Sequence, residues 1–153
     1  MGEMVNNATT CPISGLKSIL LATDGSKYSE KALREAVSLA KTCRTKLYVV
    51  SVIEINQEYA VMAPKIVEQL ESESKELLDD VKACVEKEGI DSVMITHEGE
   101  DAWKFIIEDA RTHNIDMIIM GTHGRTGLTR LLMGSVTQKV IGHAHCMVLV
   151  VPA

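Results

Sequence analysis

The sequence predicts an α/β fold, a parallel sheet with helices on both faces. Short apolar runs alternate with amphipathic stretches along the chain, in the order β-α-β-α-β-α-β-α-β. Apart from residues 91–96, which alternate, the runs are apolar throughout, so both faces of the strands are covered. The first and fourth runs end in glycine-containing turns, where such sheets place their binding loops.

Residues 18–23 form the first run and stop at Asp24-Gly25-Ser26. Ala32, Leu33, Ala36, Val37 and Ala40 then recur at helical spacing, with Ser26 or Ser29 as the N-cap. Residues 46–53 read as the clearest buried strand, and 54–63 as a connection. Ile66, Leu70, Leu77, Val81 and Val85 mark a long helix that Gly89 is placed to stop. Residues 91–96 give a third strand. The acids of 98–101 open the next helix, whose inner face is Ala102, Ile106 and Ala110. The fourth strand is 116–120, the last helix runs to about Gly142, and the final strand is 146–151. Residues 1–15 read as a flexible leader or short arm, and 16–153 as a single domain.

A net charge of −5 argues against a nucleic-acid binder, which needs a basic face. No apolar run is long enough to span a bilayer, and the start lacks the features of a signal peptide. The chain is therefore expected in the cytoplasm. Cys11, Cys43, Cys84 and Cys146 are scattered, with no metal-type spacing, and are expected as free thiols.

The richest stretch is Gly121-Thr122-His123-Gly124, then nine residues, then Gly134-Ser135. A strand leads into it and a helix leaves it. Glycines let backbone N–H groups approach an anion, and the first helical turn offers more of them. The spacing is neither a Walker A loop nor GxGxxG. A tight turn without ligand is the structural alternative.

Asp24 ends the first strand, where a carboxylate serves a ribose hydroxyl, a metal-bound water, or simply its own turn. Should the first and fourth strands be neighbours, the two loops meet around one crevice. His123, Arg125 and Arg130 are phosphate partners or solvated loop residues. His143, His145 and Cys146 are disfavoured as metal ligands, because 145 and 146 point to opposite faces of a strand. Trp103 and Phe105 read as packing residues. No nucleophile–base pair stands out, so no catalytic residue is assigned.

With these residues the chain resembles the universal stress protein (UspA-like) superfamily, in its ATP-binding branch. The signature G-x2-G-x9-G-[ST] stands complete as Gly121, Gly124, Gly134 and Ser135. The strand closed by Asp24, the phrase Val50-Ser51-Val52-Ile53 and the ending Val148-Leu149-Val150-Val151-Pro152 fit as well. The resemblance implies a five-stranded parallel sheet of order 3-2-1-4-5, of the adenine nucleotide α-hydrolase type. It implies ATP or another adenine nucleotide, with Mg2+ or Mn2+. Asp24 then lies near ribose or metal, and Val52 meets adenine through its backbone. Gly121, Gly124, Arg125, Gly134, Ser135 and Val136 complete the site. A homodimer through the C-terminal strand 146–151 is also implied.

The leading reading is a regulatory, stress-response module that binds nucleotide. A slow ATPase or phosphotransferase using Asp24 and Mg2+, and a dimeric chaperone-like scaffold with a vestigial site, are the alternatives. ATP, AMP and a cyclic nucleotide all satisfy an adenine slot beside an anion nest.

Overall fold

The computed structural model describes residues 10–124 and 133–153. Its elements in chain order are β1 (Ser18–Ala22), α1 (Glu30–Cys43), β2 (Lys46–Glu54), α2 (Gln57–Met62), α3 (Pro64–Lys87), β3 (Ser92–Gly99), α4 (Ala102–Thr112), β4 (Met117–Gly121), α5 (Ser135–His143) and β5 (Met147–Val151). The strands form one sheet in the order β3-β2-β1-β4-β5, and all pairs are parallel. The predicted fold class and strand order hold.

Alternation along the strands divides the interior into two cores. Ile19, Leu21, Leu47, Val49, Met117 and Ile119 face one side, where α1 and α3 lie. Leu20, Val50, Ile118 and Met120 face the other, under α4 and α5. Helix α1 contributes Ala32, Ala36 and Ala40, small residues four apart that bring its backbone close to the sheet. Helix α3 contributes Leu78, Val81 and Val85. Gly89, at φ +70°, ends that region, and the N–H of Ile90 returns to the carbonyl of Val85.

Several local expectations shift. Residues 57–62 form the short helix α2 inside the predicted connection, with the Asn56 side chain accepting from the N–H of Tyr59 at 2.7 Å. No residue of α2 is buried, so no periodicity announced it. Ile66 is 43% exposed rather than core. Helix α3 has 24 residues, about 36 Å at 1.5 Å per residue, and its first turns overhang the shorter strands. Strand β3 extends to Gly99, paired with Glu54 of β2, so Glu98 belongs to a strand rather than a helix start. Asp101 holds the N-cap position of α4 without a side-chain cap bond. It pairs with Lys104 at 2.6 Å, whose hydrogen bond lowers its carboxyl pKa.

The cysteine expectation needs the largest correction. Cys11 and Cys43 form a disulfide, while Cys84 and Cys146 are free. Helix α1 runs back to the end of the sheet where β1 begins, and residues 10–16 enter at that same end. Two cysteines 32 residues apart are thereby neighbours. Cys11 and Ile13 pack against the first core. Burial raises the pKa of the Cys146 thiol, which packs against the second core.

Candidate functional site

The chain winds outward from β1 to β2 to β3, then returns to place β4 on the other side of β1. At this reversal the loops after β1 and β4 diverge from one another's helices and leave a crevice at the strand ends. A cavity of about 460 Å³ lies there. Its size is that of a small-molecule site. Asp24, Val52, Gly121, Gly124, Gly134, Ser135 and Val136 all line it. Arg125 and Arg130 lie outside the described residues.

Asp24 is fixed by its own turn, since Oδ1 accepts from the N–H of Ser26 at 2.9 Å. Gly25 makes the turn possible with φ +74°. The other carboxylate oxygen faces the second loop. A Cβ added at Gly124 would stand 3.1 Å from Asp24 Oδ2. The two loops therefore meet, as neighbouring first and fourth strands require.

The remaining signature glycines are equally tight. A Cβ at Gly121 would lie 3.0 Å from the carbonyl oxygen of Tyr28, and one at Gly134 3.2 Å from that of Thr122. The Gly134 N–H donates to Thr122 O at 2.7 Å, which joins the start of α5 to the end of β4. Thr137 Oγ1 adds a second tie, donating to Gly121 O at 2.9 Å. Gly134 is the N-cap of α5 and carries no side chain to satisfy the first turn. The N–H groups of Ser135 and Val136 are among those that a helix start leaves without intrahelical carbonyls. Both residues line the cavity, so the positive end of α5 faces it.

Val52 contributes through strand parity. In a parallel sheet one residue directs both its N–H and C=O to one side, and the next residue to the other. Leu47 and Ile55 donate toward β3, to Asp91 O and Gly99 O. Val50 accepts from Thr23 on the β1 side at 3.0 Å. Val52 shares the parity of Val50, but β1 has ended at Ala22. Its backbone pair is left facing the crevice.

Buried hydroxyls form the part of the site that sequence reading missed. Thr23, Ser29, Ser51, Ser74 and Thr137 are all buried, and all line the cavity. Thr23 Oγ1 and Ser29 Oγ are 3.0 Å apart, and Ser29 Oγ donates to Ser26 O at 2.8 Å. Ser29 is the N-cap of α1, yet its hydroxyl makes no cap bond because it braces the Asp24 turn. Ser74 Oγ donates to Ser51 Oγ at 3.3 Å across from α3 to β2. The available signal was a lone polar residue inside an apolar run, as Ser51 is, or inside the buried stripe of a helix, as Ser74 is.

Of the other residues singled out, His123 lines the cavity, and its Nδ1 is 2.9 Å from Thr122 Oγ1. His143 sits against Trp103, with ring centroids 4.5 Å apart. Phe105 stacks on His97 at 4.7 Å. Among the described residues no three His, Cys, Asp or Glu side chains form a metal cluster.

A sequence model of the universal stress protein family matches residues 15–152. The chain belongs to that family. A universal stress protein of Methanocaldococcus jannaschii is 38% identical over 139 residues, which is 88% of this chain and 81% of that protein. Among solved structures, the hypothetical protein MJ0577 superposes with a TM-score of 0.82 at 30% identity, covering 90% of this chain and 96% of that one. The universal stress protein from Archaeoglobus fulgidus in complex with dAMP superposes with a TM-score of 0.62 at 21% identity, covering 88% and 96%. No helix among the described residues is long and apolar enough to cross a membrane.

Proposed function

We propose that this universal stress protein binds an adenine nucleotide, with ATP the leading candidate, and acts as a regulatory module. The observation that carries the reading is the meeting of the Asp24 and Gly124 loops beneath a glycine-capped helix start. At Gly121, Gly124 and Gly134 an added Cβ would crowd neighbouring protein atoms, so bare backbone lines the crevice there, where N–H groups can approach an anion. The Val52 backbone edge, turned away from β3 toward the crevice, suits the hydrogen-bonding edge of a base. The Asp24 carboxylate, held at the crevice by its turn, suits a ribose hydroxyl or a cation carried in by the phosphates. The dAMP complex of the Archaeoglobus fulgidus protein supports an adenine ligand for this fold.

In this reading a divalent cation, Mg2+ or Mn2+, supplies charge neutralisation at the phosphates. The protein's own residues supply binding: the N–H groups of Gly124, Ser135 and Val136, the Ser135 hydroxyl and the Asp24 carboxylate. Bound nucleotide favours conformers in which the strand-end loops at Asp24 and Gly124 close on it, which changes the surface offered to a partner.

Purified protein, denatured and extracted, is expected to release stoichiometric adenine nucleotide identifiable by chromatography and mass. An empty extract, followed by no heat on titration with Mg-ATP, overturns the reading and moves the scaffold alternative forward. Steady ATP turnover that vanishes in Asp24→Asn would instead establish the enzyme.

The reading includes a homodimer through residues 146–151. Strand β5 is an edge of the sheet, and Met147 is 46% exposed on it. An apolar edge invites pairing with a second copy. Met147→Glu is expected to shift the mass measured by light scattering from dimer to monomer. A wild type that is monomeric at tens of micromolar removes this part of the reading.

A further inference from the structure

We propose that Cys11 and Cys43 are a reversible redox clasp, which fastens the N-terminal arm to α1 when oxidised and frees it when reduced. The disulfide joins an appendage to a domain that is already complete. The family match begins at residue 15, and no described residue before Leu16 is buried. Cys11 and Ile13 only lean on the first core, so the arm detaches without opening it. A chain of this length also buries enough surface to fold without a staple.

The bond is open to exchange as well. Cys11 and Cys43 are both partly exposed, which puts the bond near the surface, within reach of an external thiolate. Cys84 and Cys146 stay free. The chain is therefore not built on a disulfide framework of the kind that stabilises small secreted domains.

Glutathione is a sufficient co-reactant. Its thiolate attacks one sulfur of the pair, forms a mixed disulfide and expels the other cysteine as a thiolate, which takes up a proton. A second glutathione thiolate releases the first cysteine in the same way. The two glutathiones together supply the two electrons that reduce the bond and leave as glutathione disulfide, and two protein thiols remain.

The clasp lies where the strands begin, whereas the candidate nucleotide site lies where they end. Its state is expected to govern the arm and to leave the cavity unchanged, so this inference stands or falls separately from nucleotide binding.

The test equilibrates the full chain across ratios of reduced to oxidised glutathione, then denatures and alkylates it. Intact mass is expected to show two labels at oxidising ratios, on Cys84 and Cys146, and four at reducing ratios. Amide exchange at residues 10–15 is expected to quicken about tenfold or more on reduction, while β1 and β4 keep their protection. Cys43→Ser is expected to show the fast arm in either buffer. Four labels at every ratio would mean that no clasp forms. Two labels until the domain unfolds would mean a permanent staple, and an arm equally protected in both states would mean nothing is released. Each of these overturns the proposal, and the wild-type readings decide it even where the variant folds poorly.

Discussion

Gly124→Val is expected to weaken adenine-nucleotide binding by about 100-fold or more while leaving the protein folded. A Cβ at this position stands 3.1 Å from Asp24 Oδ2, tighter than an unstrained contact. The carboxylate has little freedom to retreat, because its other oxygen holds the N–H of Ser26. Valine adds two further methyl groups to the gap between the loops. They push apart the two walls of the crevice and hold phosphate oxygens away from the backbone N–H groups. A hundredfold loss corresponds to about 2.7 kcal/mol, the scale of one or two charge-assisted hydrogen bonds. The control is Gly142→Ala, where an added Cβ meets nothing within 4 Å. It is expected to leave affinity unchanged and to raise helix stability slightly. Titration calorimetry with Mg-ATP reads both. A Gly124→Val affinity within threefold of wild type would show that nucleotide does not enter this cradle.

The parts legible in sequence were those with a local pattern. The glycine spacing, Asp24 at a strand end and Gly89 at a helix end each need a residue type that few others replace, so they could be read one position at a time. Val52 comes from family resemblance alone; the structure shows that it lines the cavity with the strand parity of Val50. The parts that were not legible depend on what the topology brings together. The Cys11–Cys43 bond requires knowing that α1 ends where the chain enters the sheet. Ser29, Ser51 and Ser74 are unremarkable in sequence, and their shared cavity exists only once α1, β2 and α3 are placed. Helix α2 buries nothing, so no periodicity could reveal it. Ile66 fits the helical stripe in spacing, but α3 overhangs the sheet there, and period alone does not say how far a sheet extends.

Leu20→Ala and Leu21→Ala are each expected to cost about 3–4 kcal/mol of stability, and their combination about 6–8. Both residues are fully buried in β1, the central strand, but in different cores. Leu20 packs with Val50, Ile106 and Ile118 under α4 and α5, and Leu21 with Val49, Val81 and Ile119 under α1 and α3. Adjacent in sequence, they belong to separate clusters, so their effects should add within about 0.5 kcal/mol. A strand packed on one face only would show a large effect at one position and almost none at the other. The double variant would use up most of the roughly 5–15 kcal/mol available to a domain of this kind, leaving it marginal or unfolded. Urea denaturation at a fixed glutathione ratio measures all three, with the disulfide held in one state. Ile66→Ala supplies the contrast: its spacing marks it as core, yet at 43% exposure it is expected to cost within about 0.5 kcal/mol. A small effect at either leucine would mean that one helical layer is not packed on the sheet. A cost at Ile66 comparable to theirs would mean that the start of α3 is covered in solution by something beyond this chain's own sheet, and the edge at β5 and the partner surface around 54–65 would then have to be considered together.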